Sequence, residues 1–154
     1  MKKATLLIAA LCIAFIQGCT TITTKGIPVE KVITIENTKQ NELYVRANNW
    51  MVDAFKDAES VIQFTDKESG NITGRYLLGT VVAANQYGPA QYAYATINIK
   101  VKDNASKIKI TPEPFTYLQG NIYNLYSQEN ADNDINKLIV SFENAMNTVE
   151  NNDW

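Results

Sequence analysis

The chain has 154 residues, 45% of them hydrophobic and 10% aromatic, with 14 Lys+Arg against 16 Asp+Glu and no His. That composition describes one globular domain and excludes a disordered chain. A net charge of −2 argues against an electrostatic nucleic-acid binder, and the lack of His removes the commonest general base and metal ligand.

Lys2 and Lys3 form a positive n-region, and Ala4–Ile16 form an apolar run below the ~20 residues that a bilayer-spanning helix needs. Ile16-Gln17-Gly18-Cys19 follows directly. An aliphatic residue, then Gln17, a small residue and Cys, resembles the lipobox of bacterial lipoproteins. The resemblance implies cleavage after Gly18 and attachment of diacylglycerol to Cys19. The alternative is an ordinary secretory signal with an incidental Cys. On the lipoprotein reading residues 1–18 are a signal peptide and the lipid on Cys19 holds the protein to a membrane, since two or three acyl chains anchor firmly where one is marginal. The expected location is the cell envelope, and the outer membrane in a two-membrane host, because Thr20 rather than Asp follows the Cys. Cys12 leaves with the signal and Cys19 is consumed by lipid. The mature domain then has no thiol for a disulfide, a nucleophile or a metal site. Residues 19–27, the Cys and a Thr-rich stretch, are expected to be a tether ahead of a single α+β domain over residues 28–154.

Within that domain Val29–Ile35 is rich in β-branched residues and predicts a first strand. Over Gln40–Lys56 the period changes. Leu43, Ala47, Trp50, Met51 and Ala54 recur at helical spacing, which predicts an amphipathic helix with Trp50 as a core anchor. From Ser60 the period falls to two, with Ile62 and Phe64 on one face of a second strand. Asp66–Gly70 is a polar turn in which Gly70 supplies a positive φ. Ile72, Gly74, Tyr76 and Leu78 share one face of a third strand, and Gly88-Pro89 breaks the chain. Ala93, Ala95, Ile97, Ile99 and Val101 line a long fourth strand. Asp103-Asn104 turns it into a fifth strand carrying Ile108 and Ile110, which Pro112 and Pro114 end.

The aromatic-rich segment 115–131 has no clear period and is expected to wrap over the core as an ordered loop. Asp132 or Asn133 is placed to cap a last helix with the stripe Ile135, Leu138, Ile139, Phe142, Met146 and Val149. Short turns between successive strands predict an antiparallel sheet in β-α-β-β-β-β-α order. Both helices are expected on one face, burying Trp50 and Phe142 against Ile62, Ile97 and Ile108.

Leu43-Tyr44, Trp50, Phe55-Lys56, Val61-Ile62-Gln63, Asp66-Lys67-Glu68 and Gly70-Asn71-Ile72-Thr73-Gly74 resemble an uncharacterised bacterial family over about residues 28–113. That family is a domain of unknown function with a TATA-binding-protein-like fold, common in envelope proteins. The resemblance implies the same element order and brings no catalytic or binding signature with it.

The sheet face turned away from the helices carries Arg75, Leu77, Tyr92, Tyr94, Asn98, Lys100, Lys107 and Lys109 by alternation. Aromatics interleaved with basic residues on an open sheet also serve single-strand nucleic-acid binders, and the namesake of the fold binds DNA on its sheet. An acidic mature chain outside the cytoplasm opposes that use, so no nucleic-acid partner is expected. Two readings remain for this face: a solvated sheet with cross-strand pairs, and a surface for an envelope protein or glycan.

Catalytic signatures are missing. Without His there is no Ser-His triad, and no phosphate loop or dinucleotide fingerprint occurs. Asp132-Asn133-Asp134 lacks the Gly and distal ligand of a calcium loop. We therefore expect no catalytic residue, no metal and no cofactor. The expected function is a non-enzymatic, membrane-anchored envelope lipoprotein that binds another envelope component. The alternatives are an inhibitor or immunity lipoprotein that plugs a hydrolase cleft with the loop 83–90, and an envelope enzyme working with carboxylates alone.

Overall fold

In a computed structural model of the chain, residues 20–56, 61–86, 88–119 and 123–148 are described. The signal segment, Cys19 and Val149 lie outside them. The elements run β1 (Thr21–Thr23), β2 (Val29–Thr34), α1 (Gln40–Ala54), β3 (Val61–Asp66), β4 (Asn71–Val82), β5 (Gln91–Lys102), β6 (Ala105–Pro112), β7 (Thr116–Leu118) and α2 (Gln128–Asn147). The main sheet has the order β2-β6-β5-β4-β3 and is antiparallel throughout. The expected β-α-β-β-β-β-α order is thus present, with the first strand paired at the β6 edge.

Both helices pack on one face of the sheet. Alternation along β5 buries Ala93, Ala95, Ile97, Ile99 and Val101, while Ile108 and Ile110 do the same from β6. Trp50 meets Phe142 edge to face at 5.1 Å and 75°, and its indole N–H donates to Ser141 Oγ at 3.1 Å. Arg46 is buried on the inner side of α1. It donates to the Met146 carbonyl at 2.5 Å, at the negative end of the α2 dipole, where the last turn of α2 has no basic residue of its own.

The caps depend on distant residues. Lys39 at the start of α1 offers no capping side chain, and Asp103 in the β5–β6 turn accepts from Gln40 N at 2.8 Å instead. That backbone bond holds the Asp103 carboxyl below its ordinary range. The last helix begins at Gln128, not near Asp132. Ser127 and Asn130 form a capping box, and Asp134 accepts from the Tyr126 hydroxyl at 2.9 Å and pairs with Lys137.

Three expectations need correction. Ile62 does not join the core under Trp50: it is 36% exposed. A bulge between Ile62 and Phe64 pairs Ile62 with Gly74 and Phe64 with Thr73, so the two side chains leave the sheet on opposite faces. Residues 19–27 do not act as a tether over the described part. Thr21–Thr23 pair with Thr116–Leu118 in a separate two-stranded ribbon, and buried Thr24 accepts from Phe115 N through its hydroxyl at 2.8 Å. Segment 115–131 correspondingly contains β7, although Phe115 and Tyr126 do wrap into the core as expected.

Tyr126 lies across Gly79, where a Cβ would stand 2.6 Å from its ring, so only glycine leaves room for it. Burial, aided by the bond to Asp134, raises the Tyr126 phenol far above its ordinary 10. The unfolded chain therefore ionises this phenol near pH 10 while the folded chain keeps its proton. Stability contributed by the neutral phenol falls above that pH by at most about 1.4 kcal/mol per unit. Tyr126→Phe should flatten this part of the alkaline slope in unfolding measurements across pH 10. Identical slopes for both proteins would refute it.

Candidate functional site

No described helix or loop covers the face of the sheet opposite the helices. β4, β5 and β6 send Arg75, Leu77, Tyr92, Tyr94, Asn98, Lys100, Lys107 and Lys109 to it, as alternation predicts, and β2 adds Glu30 and the 60%-exposed Val32. At one end the residues interlock. The Arg75 guanidinium stands 3.5 Å from the centroid of the Tyr94 ring, while its Nε and Nη2 donate to the two Glu113 oxygens at 2.8 and 2.9 Å. Such a fork fixes the guanidinium against the carboxylate while its cation stands over the ring. Tyr92 extends the platform, with ring centroids 6.2 Å apart, and is 40% exposed.

Arg75 bonds hold the Glu113 carboxyl below its usual range, and the same contact keeps Arg75 protonated. Glu113 is therefore an ionised partner for Arg75 and lacks the raised pKa of a general acid. Its backbone N–H also donates to the Tyr94 carbonyl at 2.8 Å. Glu113 directly follows Pro112, the last residue of β6. Its place two residues past Thr111, itself two past Lys109, is the signal that puts it on the open face.

Toward the other end lie the lysines. Lys100 and Lys107 are opposite one another in the β5–β6 register, and Lys109 is opposite Asn98. Lys107 pairs with Glu30 at 3.0 Å, and Asn98 accepts from Thr73 Oγ1 at 3.0 Å. The face thus joins an aromatic platform to a lysine-rich end in a chain that is acidic as a whole.

Apart from this face, a groove of about 1220 Å³ opens where β4 runs into β5. Val82, Ala84, Tyr117, Leu118, Tyr123 and Leu125 are among its walls. Of the loop 83–90, Ala83, Ala84, Asn85 and Gln86 line this groove, and Asn85 and Gly88 exchange backbone bonds at 3.0 and 3.2 Å. Among the described residues no group of three or more Asp, Glu, His or Cys side chains gathers as a metal site. No described helix is long and apolar enough to cross a membrane.

These elements define an α+β domain with helices on one face of an antiparallel sheet and a polar, aromatic surface on the other. The chain belongs to the DUF4468 family, a domain of unknown function with a TBP-like fold, whose model matches residues 30–115. A DUF4468 protein from Bacteroides ovatus superposes with a TM-score of 0.56 at 12% identity, covering 82% of this chain and 89% of that one. A TBP-like protein from Parabacteroides distasonis gives 0.56 at 15% identity, covering 80% and 94%. No curated protein matches the chain in sequence.

Proposed function

We propose that this protein is a lipid-anchored envelope component that binds a partner in the same compartment through its open sheet face. The observation that carries the reading is the platform of Tyr92, Tyr94 and Arg75. Its cation is held over the Tyr94 ring by Glu113 before any partner arrives, so little ordering is lost on binding. Lys100, Lys107 and Lys109 extend the surface with positive charge, which favours an envelope protein or cell-wall component acidic on its contacting side. Tyr and Arg are the residue types that concentrate binding energy at interfaces.

The ordered n-region, apolar run and Ile16–Cys19 box support anchoring. Cys19→Ala should abolish incorporation of radiolabelled palmitate and release or misprocess the protein. Equal labelling of wild type and variant would refute it. Crosslinking in the intact envelope, with identification of the captured molecule, tests the binding half. A captured envelope protein or wall fragment that contacts Tyr92 or Tyr94 supports it, and capture only through the helix face contradicts it.

A further inference from the structure

We infer that the apolar mouth of the groove beside β7 rests on the lipid bilayer. The inference depends on lipidation of Cys19 and goes beyond it by fixing which surface meets the membrane. Thr20, the first described residue, already belongs to the fold. Its carbonyl accepts from Gln119 N at 2.8 Å, and Thr21 lies opposite Leu118 in the ribbon. Cys19 precedes Thr20 by one peptide bond, a Cα spacing of about 3.8 Å. No free linker therefore separates a lipid on Cys19 from the β1–β7 ribbon.

Three large side chains emerge at that end of the domain. Leu118 is 36% exposed, Leu125 58% and Tyr123 71%. Hydrogen bonds fix their backbone: Asn124 Nδ2 donates to the Leu118 carbonyl, and Leu125 N donates to the Val81 carbonyl at 3.0 Å. Tyrosine and leucine side by side suit the boundary between headgroups and acyl chains, where an apolar body is buried and a hydroxyl stays hydrated. An anchor leaving beside Leu118 brings these residues to the membrane first. The lysine-rich end of the sheet then points away, because Gln91 lines the groove and Lys102 ends the same strand roughly 35 Å further on at about 3.3 Å per residue.

The test uses the full lipidated protein in vesicles of phosphatidylethanolamine and phosphatidylglycerol. An environment-sensitive fluorophore is attached through Leu125→Cys, and in a second protein through Lys102→Cys. Both sites are exposed, and no other free thiol remains once Cys19 is acylated. The expected result is blue-shifted emission from position 125, quenched by lipids carrying a nitroxide near the headgroup, with neither effect at position 102. Lipidated protein whose label at 125 is as water-exposed as that at 102 overturns the docking alone. A blue shift that no lipid quenches and that grows with protein density would place a second copy in the groove and also overturn it. Mass spectrometry showing no diacylglycerol on Cys19 would remove the anchoring and the docking together.

Discussion

Trp50→Ala should destabilise the domain by about 3–5 kcal/mol, the usual cost of emptying a large aromatic site in a core that cannot collapse. Trp50 is 5% exposed, packs edge to face on the fully buried Phe142, and its N–H is bonded to Ser141. The pair joins α1 to α2 and holds both against the sheet. Alanine removes the ring contact and the hydrogen bond together and leaves a void between the helices. Urea melts of the chain without residues 1–19 measure the loss. A change below ~1 kcal/mol would mean that the helix layer is not held at this contact. Trp50→Phe should recover much of the packing while losing the bond to Ser141.

Gly70→Val should cost roughly 2–6 kcal/mol from two sources that act together. Gly70 has φ +68°, where a β-branched residue is strained by about 1–3 kcal/mol. A Cβ there would also lie 2.3 Å from the Val101 carbonyl oxygen, a backbone atom that cannot turn away, and overpacking adds about 1–3 kcal/mol. The same turn receives Val101 N on the Gly70 carbonyl at 2.8 Å, so displacement would strain the β4–β5 ladder as well. On its other side Asp66 accepts from the backbone of Glu68 and Ser69, and the Ser69 bonds hold its carboxyl below the ordinary range. Asp66→Asn, which keeps the glycine, should be far milder. Equal losses from the two substitutions would contradict the strain argument.

Much of this fold can be read along the chain because the core elements bury one face each. A period of 3.6 marks Leu43, Ala47, Trp50 and Met51, and a period of two marks Ala93 to Val101; every one of them is buried. What escaped is whatever depends on distant pairing or on a break in alternation. The β1–β7 ribbon joins three-residue strands some ninety positions apart, too short for either to show a period. Its Thr-rich half looks like a linker until Thr24 is seen bonded to Phe115. Ile62 and Phe64 share a face by alternation, and the bulge separates them. Asp103 reads as a turn residue, and only the tertiary structure makes it the cap of α1.

The candidate face was legible for the same reason as the core, since the residues between buried ones must point outward. Tyr92 and Tyr94 flank the buried Ala93, and Lys107 and Lys109 flank the buried Ile108. Strict alternation could not reveal that Arg75 bridges Tyr94 and Glu113, because that contact joins β4, β5 and the residue after β6. Nor could it place Tyr117, Tyr123 and Leu125 around one groove, since their segment has no period to follow.

The most direct test is one double variant, Tyr92→Ala with Tyr94→Ala, examined for both partner capture and melting temperature. Tyr92 is 40% exposed and Tyr94 is half-buried under Arg75, so neither anchors the helix-side core. Binding through this face predicts that crosslinked partner is lost, since interface aromatics are often worth about 2 kcal/mol or more each. The melting temperature should fall by only a few degrees, on the order of a 1 kcal/mol change for a domain of this size. Undiminished capture together with a lowered melting temperature would assign the tyrosines to the fold alone and contradict binding at the open sheet.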